Sequence, residues 1–270
     1  MTATIRHPVF AGRFYPADPQ DLTSLVQSYL MPSAEKAAAL GCIVPHAGYI
    51  YSGHVAGAVF SRLDIPPQAI LMCPNHTGRG TPLSIMSEGT WKTPLGAMHI
   101  DSNLAEHLKR QFEFLEEDAE AHRSEHAAEV ELPFLQVLRP EAKFVPIAVG
   151  TRQFEVLEAL GLAVAEVITA AGGNILMIAS SDMNHYESDA VTRAKDHKAV
   201  EKILEIDPLG LYEAVLAENI SMCGLGPAIV MLTAAKQLRA TSAELVKYAT
   251  SGDVSGDRDL VVGYAGVVIR

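Results

Sequence analysis

Residues 174–185 read NILMIASSDMNH, a short apolar run that ends in a cluster of polar side chains. The run 174–179 is too short for a buried helix and is typical of a strand covered on both faces. Comparable runs stand at 41–45, 69–73 and 143–149. Because amphipathic helical patterns separate these runs, the sequence predicts an α/β fold, a three-layer α/β/α sandwich around a mostly parallel mixed sheet.

The rest of the chain is consistent with this alternation. Residues 243–250 and 260–269 predict two late strands, and 83–100, with Gly89, Pro94 and Gly96, predicts an irregular hairpin. Helices are predicted over 18–30, 53–63, 102–114, 126–138, 153–171, 189–205, 208–218 and 227–239. No repeat or linker-like stretch interrupts the pattern, so we expect one domain over residues 1–270.

Composition excludes several classes of protein. The 270 residues are 49% hydrophobic, which is ample for a core and excludes a disordered chain. The net charge of −11 argues against a nucleic-acid partner and against docking on anionic lipid. Three cysteines without paired spacing predict reduced thiols, and with no signal-peptide layout we expect a cytoplasmic protein.

Histidines follow three of the predicted strands. Strand 41–45 leads into His46, strand 69–73 into His76, and strand 174–179 into Asp182 and His185. Ligands of open α/β sheets bind outside the carboxyl ends of the strands, so these side chains should converge if the strands are neighbours. Histidine there is able to act as a general base or a metal ligand, and Asp182 is able to orient an imidazole, ligate a metal or carry a proton.

Two further segments are candidates for the same site. Cys223 precedes a predicted helix, where it is either a third metal ligand, a nucleophile or a buried inert thiol. His122 and His126 are four residues apart, a spacing that places two ligands on one helical face, although no HExxH motif is present. Glu125, His126 and Glu129 either line the site or form a solvated capping turn. The chain contains no P-loop, GxGxxG, GxSxG or CxxC motif.

Taken in order, these pieces resemble the Memo family, in particular the B component of AmmeMemoRadiSam systems. The fold of that family is similar to the class III, LigB-like non-haem iron extradiol dioxygenases. The matching motifs are PVFAGRFYP at 8–16, PHAGYIYSG at 45–53, PNH at 74–76, EH at 125–126, EVELPFLQ at 129–136, SSDMNHY at 180–186 and CG at 223–224.

The resemblance implies roles for residues of these motifs. His46, His76 and Cys223 match the metal ligands, and Asp182 and His185 match the adjacent catalytic residues, His185 standing in the place of the acid/base histidine. Six further residues are expected to line the pocket: Tyr49, Asn75, Glu125, His126, Glu129 and Ser181. Cysteine replaces the carboxylate of the dioxygenase facial triad, and this departure argues against ring cleavage.

The resemblance predicts a metal-binding redox protein of unknown substrate, with Fe(II) favoured as cofactor, copper as a second choice and zinc as a third. Its ligand would be a small molecule or a peptide, and its protein partners would be radical-SAM and AMMECR-type proteins. Two other functions stay open. One is a non-catalytic binding module that uses the same pocket, and the other is a metal-assisted or Cys/His hydrolase.

Overall fold

A computed structural model describes residues 4–32 and 34–270. In chain order the elements are β1 (Ile5–Arg6), α1 (Pro19–Tyr29), β2 (Gly41–Val44), α2 (Tyr49–Phe60), β3 (Gln68–Pro74), β4 (Leu83–Ile85), β5 (Thr90–Thr93), β6 (Gly96–His99), α3 (Ser102–Gln111), β7 (Glu116–Glu117), α4 (Glu120–Arg123), a 3-10 turn (Glu129–Glu131), α5 (Leu132–Leu138), β8 (Lys143–Val149), α6 (Phe154–Ala170), β9 (Leu176–Ser180), β10 (His185–Glu187), α7 (Asp189–Leu204), α8 (Pro208–Ala217), α9 (Leu225–Gln237), β11 (Ala243–Thr250), α10 (Gly252–Ser255) and β12 (Val261–Ile269).

The centre of the main sheet is formed by four parallel strands in the order β2, β9, β3, β8. Antiparallel strands complete both sides: β12 pairs with β2 and carries β10 and β11, whereas β4 pairs with β8. The sheet is therefore mixed with a parallel core, as predicted. Strands β1, β5 and β6 form a separate three-stranded sheet.

Two apolar cores lie on opposite faces of the main sheet. One contains buried side chains of α3, α6, α7, α8 and α9, and the other contains those of α1, α2 and α5 together with Trp91. Because helices cover both faces, the inner strands are apolar throughout rather than alternating. The predicted three-layer α/β sandwich is thus confirmed. Among the described residues, the structure has no helix of the length and hydrophobicity that crossing a membrane requires.

Three predicted elements differ from the structure. The helix predicted over 126–138 is a loop, a 3-10 turn and the short helix α5, because Pro133 lies in the first turn of a new helix and Glu125 accepts from the Ala127 N–H of its own loop. The predicted hairpin 83–100 divides, since β4 joins the main sheet and only β5 and β6 pair as a hairpin. Helix α2 begins at Tyr49, four residues before the predicted start.

Candidate metal centre

The carboxyl ends of β2, β9 and β3 lie side by side, because these strands are neighbours in the sheet. His46 follows β2, His76 follows β3, and the segment 181–185 follows β9. Their side chains line one cavity of about 630 Å³, together with Cys223 from the segment that precedes α9. The convergence predicted from the strand order is therefore present in the fold.

His46 is almost completely buried and its ring is held in one orientation. Its Nδ1 lies 2.8 Å from the Oγ of Ser180, whose hydroxyl has the Ala127 carbonyl 2.8 Å away as an acceptor. The Ser180 hydroxyl donates its single proton to the Ala127 carbonyl, so its oxygen accepts from the Nδ1–H of His46. His46 therefore keeps a lone pair on Nε2. Burial, followed by the nearby imidazoles, holds the pKa of His46 well below its usual value, so the ring is neutral.

His76 is oriented by a carboxylate. Glu125 is fully buried, and its two oxygens accept from the Nδ1 of His76 at 2.8 Å and from the His76 backbone N–H at 2.7 Å. The Ala127 N–H donates to the same carboxylate at 3.0 Å. Burial alone would raise the pKa of Glu125, but the hydrogen bond and charge of His76, the Ala127 N–H and the charge of His126 together outweigh burial, and the net pKa is lowered. Nδ1 of His76 thus carries its proton, and Nε2 is left with the lone pair that a metal ion would bind.

Cys223 completes a compact set of donor atoms. Its Sγ lies 3.2 Å from the Nε2 of His46, and one ligand atom from each of His46, His76 and Cys223 lies within 4.8 Å of the others. The chain approaches closely here because residue 224 is glycine: a Cβ at that position would lie 2.4 Å from the Ser180 carbonyl oxygen. Burial and then the charge of Asp182 raise the pKa of the Cys223 thiol, so the thiol is protonated in the metal-free protein.

His126 adds a third imidazole to this cluster. Its ring stacks on that of His76, with centroids 4.6 Å apart and an interplanar angle of 18°, and its Nδ1 lies 3.3 Å from Glu125. Burial lowers the pKa of His126 to about 4, so it is neutral at pH 7. His76, Glu125 and His126 form a second group of donor atoms within 4.8 Å of one another, which shares His76 with the first.

Asp182 and His185 lie beside these donors. Asp182 Oδ1 accepts from the His46 backbone N–H at 2.8 Å, and burial raises the pKa of Asp182 to about 7. His185 Nδ1 lies 3.1 Å from the Ser221 carbonyl, an acceptor only, so Nδ1 carries the proton and Nε2 is a free base. Burial has the opposite effect on His185, whose pKa it lowers. Asp182 is therefore able to exchange a proton near neutral pH, and His185 is able to accept one at Nε2.

Four of the residues expected to line the pocket do not line this cavity and make other contacts instead. Tyr49 donates to the Val130 carbonyl and lines a neighbouring groove. Asn75 has both ends of its amide bound within the turn 75–79. Glu129 is fully buried in an ion pair with Arg6. Ser181 accepts from the Gly224 N–H and so anchors the Cys223 segment.

Of the pair His122 and His126, only His126 reaches the site. His122 is fully buried and packs edge-on against Trp91, with ring centroids 5.7 Å apart. The two residues do not share a helical face, because α4 ends at Arg123. Their spacing of four residues therefore does not place them on one helical face.

Several residues outside the predicted set also belong to the site. Phe14 and Arg152 line the cavity, Ser180 orients His46, and buried Glu131 lies 3.1 Å from the Ser180 hydroxyl. Arg152 follows the fourth parallel strand, β8, so the strand order that predicts the histidines also places Arg152 at this edge of the sheet. Ser180 and Glu131 stand within the matching motifs at 180–186 and 129–136, but the sequence does not indicate their role, because that role depends on contacts between distant segments.

Asp196 anchors the loop that carries His185, and its burial makes stability depend on pH. Its carboxylate accepts from the Asn184 N–H at 2.9 Å and the Tyr248 hydroxyl at 2.7 Å, and burial raises its pKa from 3.8 to about 6. The folded protein therefore holds a proton that the unfolded chain releases between these pH values, so stability falls as pH rises through this window. Asp196 contributes a loss of up to about 3 kcal/mol between pH 4 and pH 7.

The variant Asp196→Asn isolates this contribution. Urea unfolding of metal-free wild type and variant at pH 4 and pH 7 should show a smaller loss of stability in the variant, because the neutral amide has no proton to release. Equal pH dependence in the two proteins would contradict the assignment, whatever the absolute stability of the variant.

Comparison with known proteins agrees with this architecture and motif order. A sequence profile described as Memo-like protein matches residues 6–268. MEMO1 family proteins of Methanosarcina barkeri and Methanopyrus kandleri are 41% and 39% identical, with 98% of this chain aligned and 100% and 99% of theirs. The MEMO1 family protein of Methanocaldococcus jannaschii is 39% identical over 98% of this chain and 99% of its own.

One solved structure shares the fold at low sequence identity. The uncharacterized protein JW3007 of Escherichia coli K12 superposes with a TM-score of 0.50 over 83% of this chain and 98% of its own, at 13% identity. That likeness concerns the fold alone. The family rests instead on the profile match and on the relatives at about 40% identity that align over almost their full length. The chain belongs to the Memo family.

Proposed function

We propose that this protein is a metal-dependent redox protein that holds one transition-metal ion on His46, His76 and Cys223 and acts on a small-molecule or peptide ligand in the adjoining cavity. The observation that carries the proposal is the set of three donor atoms within 4.8 Å of one another in the cavity wall.

The donor set fits a metal ion in charge and orientation. Both imidazoles have Nδ1 engaged by a protein acceptor, so each presents the Nε2 lone pair that a metal requires. Cys223 would bind as a thiolate, and its proton would be released on binding. Two imidazoles and one thiolate suit Fe(II), copper and zinc. Iron is favoured because of the resemblance to non-haem iron enzymes, with copper next and zinc third; a bound redox metal would supply one-electron or dioxygen chemistry.

Asp182 and His185 are the proposed proton carriers. Asp182, with a pKa of about 7, is present in both protonation states at neutral pH. His185 presents a neutral Nε2 to the cavity, where it is able to take a proton from a bound ligand. Neither side chain needs to leave its position to do so, since the backbone N–H of His46 and the carbonyl of Ser221 hold them.

The nucleophilic form of the hydrolase alternative finds little support. A reactive cysteine needs a lowered pKa, whereas burial raises that of Cys223 and lowers that of its neighbour His46. No thiolate–imidazolium pair therefore forms in the metal-free protein. The binding-module alternative makes the same use of the cavity and differs only in the absence of turnover.

Glu125 should matter to the metal although it is not proposed as a ligand. Glu125→Gln keeps the shape of the side chain but offers His76 a weaker acceptor, so metal affinity should fall about 10- to 100-fold. Glu120→Gln is the matched control, because Glu120 is exposed and pairs only with surface arginines. Equilibrium dialysis against a competing chelator measures both; equal affinities for the two variants would show that Glu125 does not orient His76.

The function is tested with protein purified and reconstituted anaerobically with Fe(II) or Cu(I). Candidate small molecules and peptides are added to the metal-loaded protein, and at least one of them should be oxidised with uptake of dioxygen. His185→Gln should abolish this oxidation and still retain the metal. A wild-type protein that binds no transition metal would contradict the proposal. Metal binding with ligand binding but no oxidation would favour the binding module.

Family membership supports two further proposals about context. Radical-SAM and AMMECR-type proteins are proposed as partners, and the cytoplasm as the compartment, where reduced thiols would keep Cys223 available. Co-purification of tagged protein from its native host tests the partners, and the absence of both protein types from the eluate would count against them.

A further inference from the structure

Arg152 is a cavity residue that the metal centre does not use. It stands three residues past the end of β8, the fourth parallel strand, and lines the same cavity as His46, His76 and Cys223. It is exposed, and no carboxylate of the described residues forms a salt bridge with it. Other arginines of this protein are paired with carboxylates, for example Arg6 with Glu129 and Arg193 with Asp189.

Arg152 is one of few charged side chains in the cavity wall. Among the described residues that line the cavity, Arg152 is the one lysine or arginine, and Asp182 is the one carboxylate. The guanidinium is thus the permanent positive charge that a ligand entering this cavity would meet.

Three helices add to that potential. Helix α2 begins directly after Gly48, α9 begins two residues after Cys223, and α6 begins two residues after Arg152. Gly48, Cys223 and Arg152 all line the cavity, and the helices have 12, 13 and 17 residues. The positive ends of their dipoles therefore lie at its rim, where they favour a negative ligand group. The rim of the cavity is therefore positive, although the net charge of the chain is −11.

From these observations we infer that Arg152 binds the anionic group, a carboxylate or a phosphate, of the ligand that the cavity accepts. The planar guanidinium matches either group with two parallel hydrogen bonds. An anionic group held at β8 would leave the remainder of the ligand to extend toward the tips of β2, β9 and β3. The inference rests on the proposed function for the identity of the site, and it adds the chemical class of the ligand.

The test uses the metal-free full-length protein, so its outcome does not depend on metal binding. Malonate and inorganic phosphate are titrated separately into wild type, Arg152→Gln and Arg110→Gln by calorimetry at low salt. Arg110 is the matched control, because it is an exposed arginine of α3 outside the cavity. Metal content after reconstitution is measured in parallel, and Arg152→Gln should take up metal as wild type does, since Arg152 is not among the donors.

We expect wild type and Arg110→Gln to bind an anion with the same affinity and Arg152→Gln to bind it at least about 10-fold more weakly, as loss of a charge-assisted hydrogen bond requires. The tighter of the two probes distinguishes a carboxylate ligand from a phosphate ligand. Wild type that binds neither probe at millimolar concentration, or equal affinities of all three proteins, would overturn the inference. Failure of wild type to bind metal would overturn the proposed function and leave the anion result readable.

Discussion

The double variant His46→Ala/His76→Ala is expected to lose transition-metal binding altogether. Both side chains present Nε2 beside the Cys223 thiol, and removing them leaves one sulfur donor where three donors stood. Loss of an outer-shell partner alone weakens metal sites about 10- to 100-fold, so loss of two ligands should exceed that range. Anaerobic dialysis with Fe(II) or Cu(I), followed by elemental analysis, measures the stoichiometry.

The matched control removes two histidines elsewhere. His107 and His197 are exposed on α3 and α7, and His107→Ala/His197→Ala should bind metal as wild type does. Circular dichroism confirms that each variant is folded before its metal content is compared. If His46→Ala/His76→Ala protein retained one equivalent of bound metal with wild-type affinity, the metal would lie elsewhere.

Arg6→Ala is expected to destabilise the protein by about 3–5 kcal/mol, the cost of leaving one partner of a buried ion pair uncompensated. The Arg6–Glu129 pair is 2.6 Å long, with side-chain exposures of 5% and 0%. Glu129 also accepts from the Tyr15 hydroxyl and from the N–H groups of Val9 and Phe10. Its charge is thus enclosed by groups that remain when the guanidinium is removed. Urea unfolding measures the change.

The control for this change is Arg62→Ala. Arg62 pairs with Glu244 at 3.0 Å, but the side chains are 35% and 41% exposed, so the loss should be at most about 1 kcal/mol. If Arg6→Ala proves too unstable to purify, Arg6→Lys retains the charge and permits the comparison. Equal unfolding free energies for the Arg6 and Arg62 variants would contradict the view that the buried pair organises the segment 125–129.

Arg6 also connects stability to the metal centre. Its guanidinium donates to the carbonyls of His122 and Glu125 at 2.7 Å each, and its Cζ lies 4.1 Å from the centroid of the Trp91 ring. Glu125 in turn holds His76. The amino-terminal strand β1 thus fixes the loop from which the carboxylate reaches the proposed ligand.

The part of the site that follows from strand order could be predicted from the sequence. His46, His76 and Asp182 stand within three residues of the end of an apolar run, and parallel neighbours must bring such positions together. The prediction of Cys223 as a neighbour of His46 depended on the family resemblance, because no spacing links residues 177 positions apart in the sequence.

The rest depended on contacts that local sequence patterns do not encode. Arg6 and Glu129 are 123 positions apart, and Glu129 was expected in the pocket because it stands near His126. Glu125 lies beside the cavity histidines, and its role as the acceptor for His76 follows from burial and hydrogen bonds rather than from helical spacing. The helix predicted over 126–138 was wrong for a similar reason, since a loop is needed to turn this carboxylate inward.

The central claim is that His46, His76 and Cys223 bind one metal ion together, and X-ray absorption spectroscopy of the metal-loaded protein tests it most directly. The account predicts one sulfur scatterer and two imidazoles in the metal's first coordination shell, with the sulfur contribution lost in Cys223→Ser and retained in Cys42→Ser. Cys42 is the control because it is a fully buried thiol within β2. A first shell without sulfur in the wild-type protein would contradict the account.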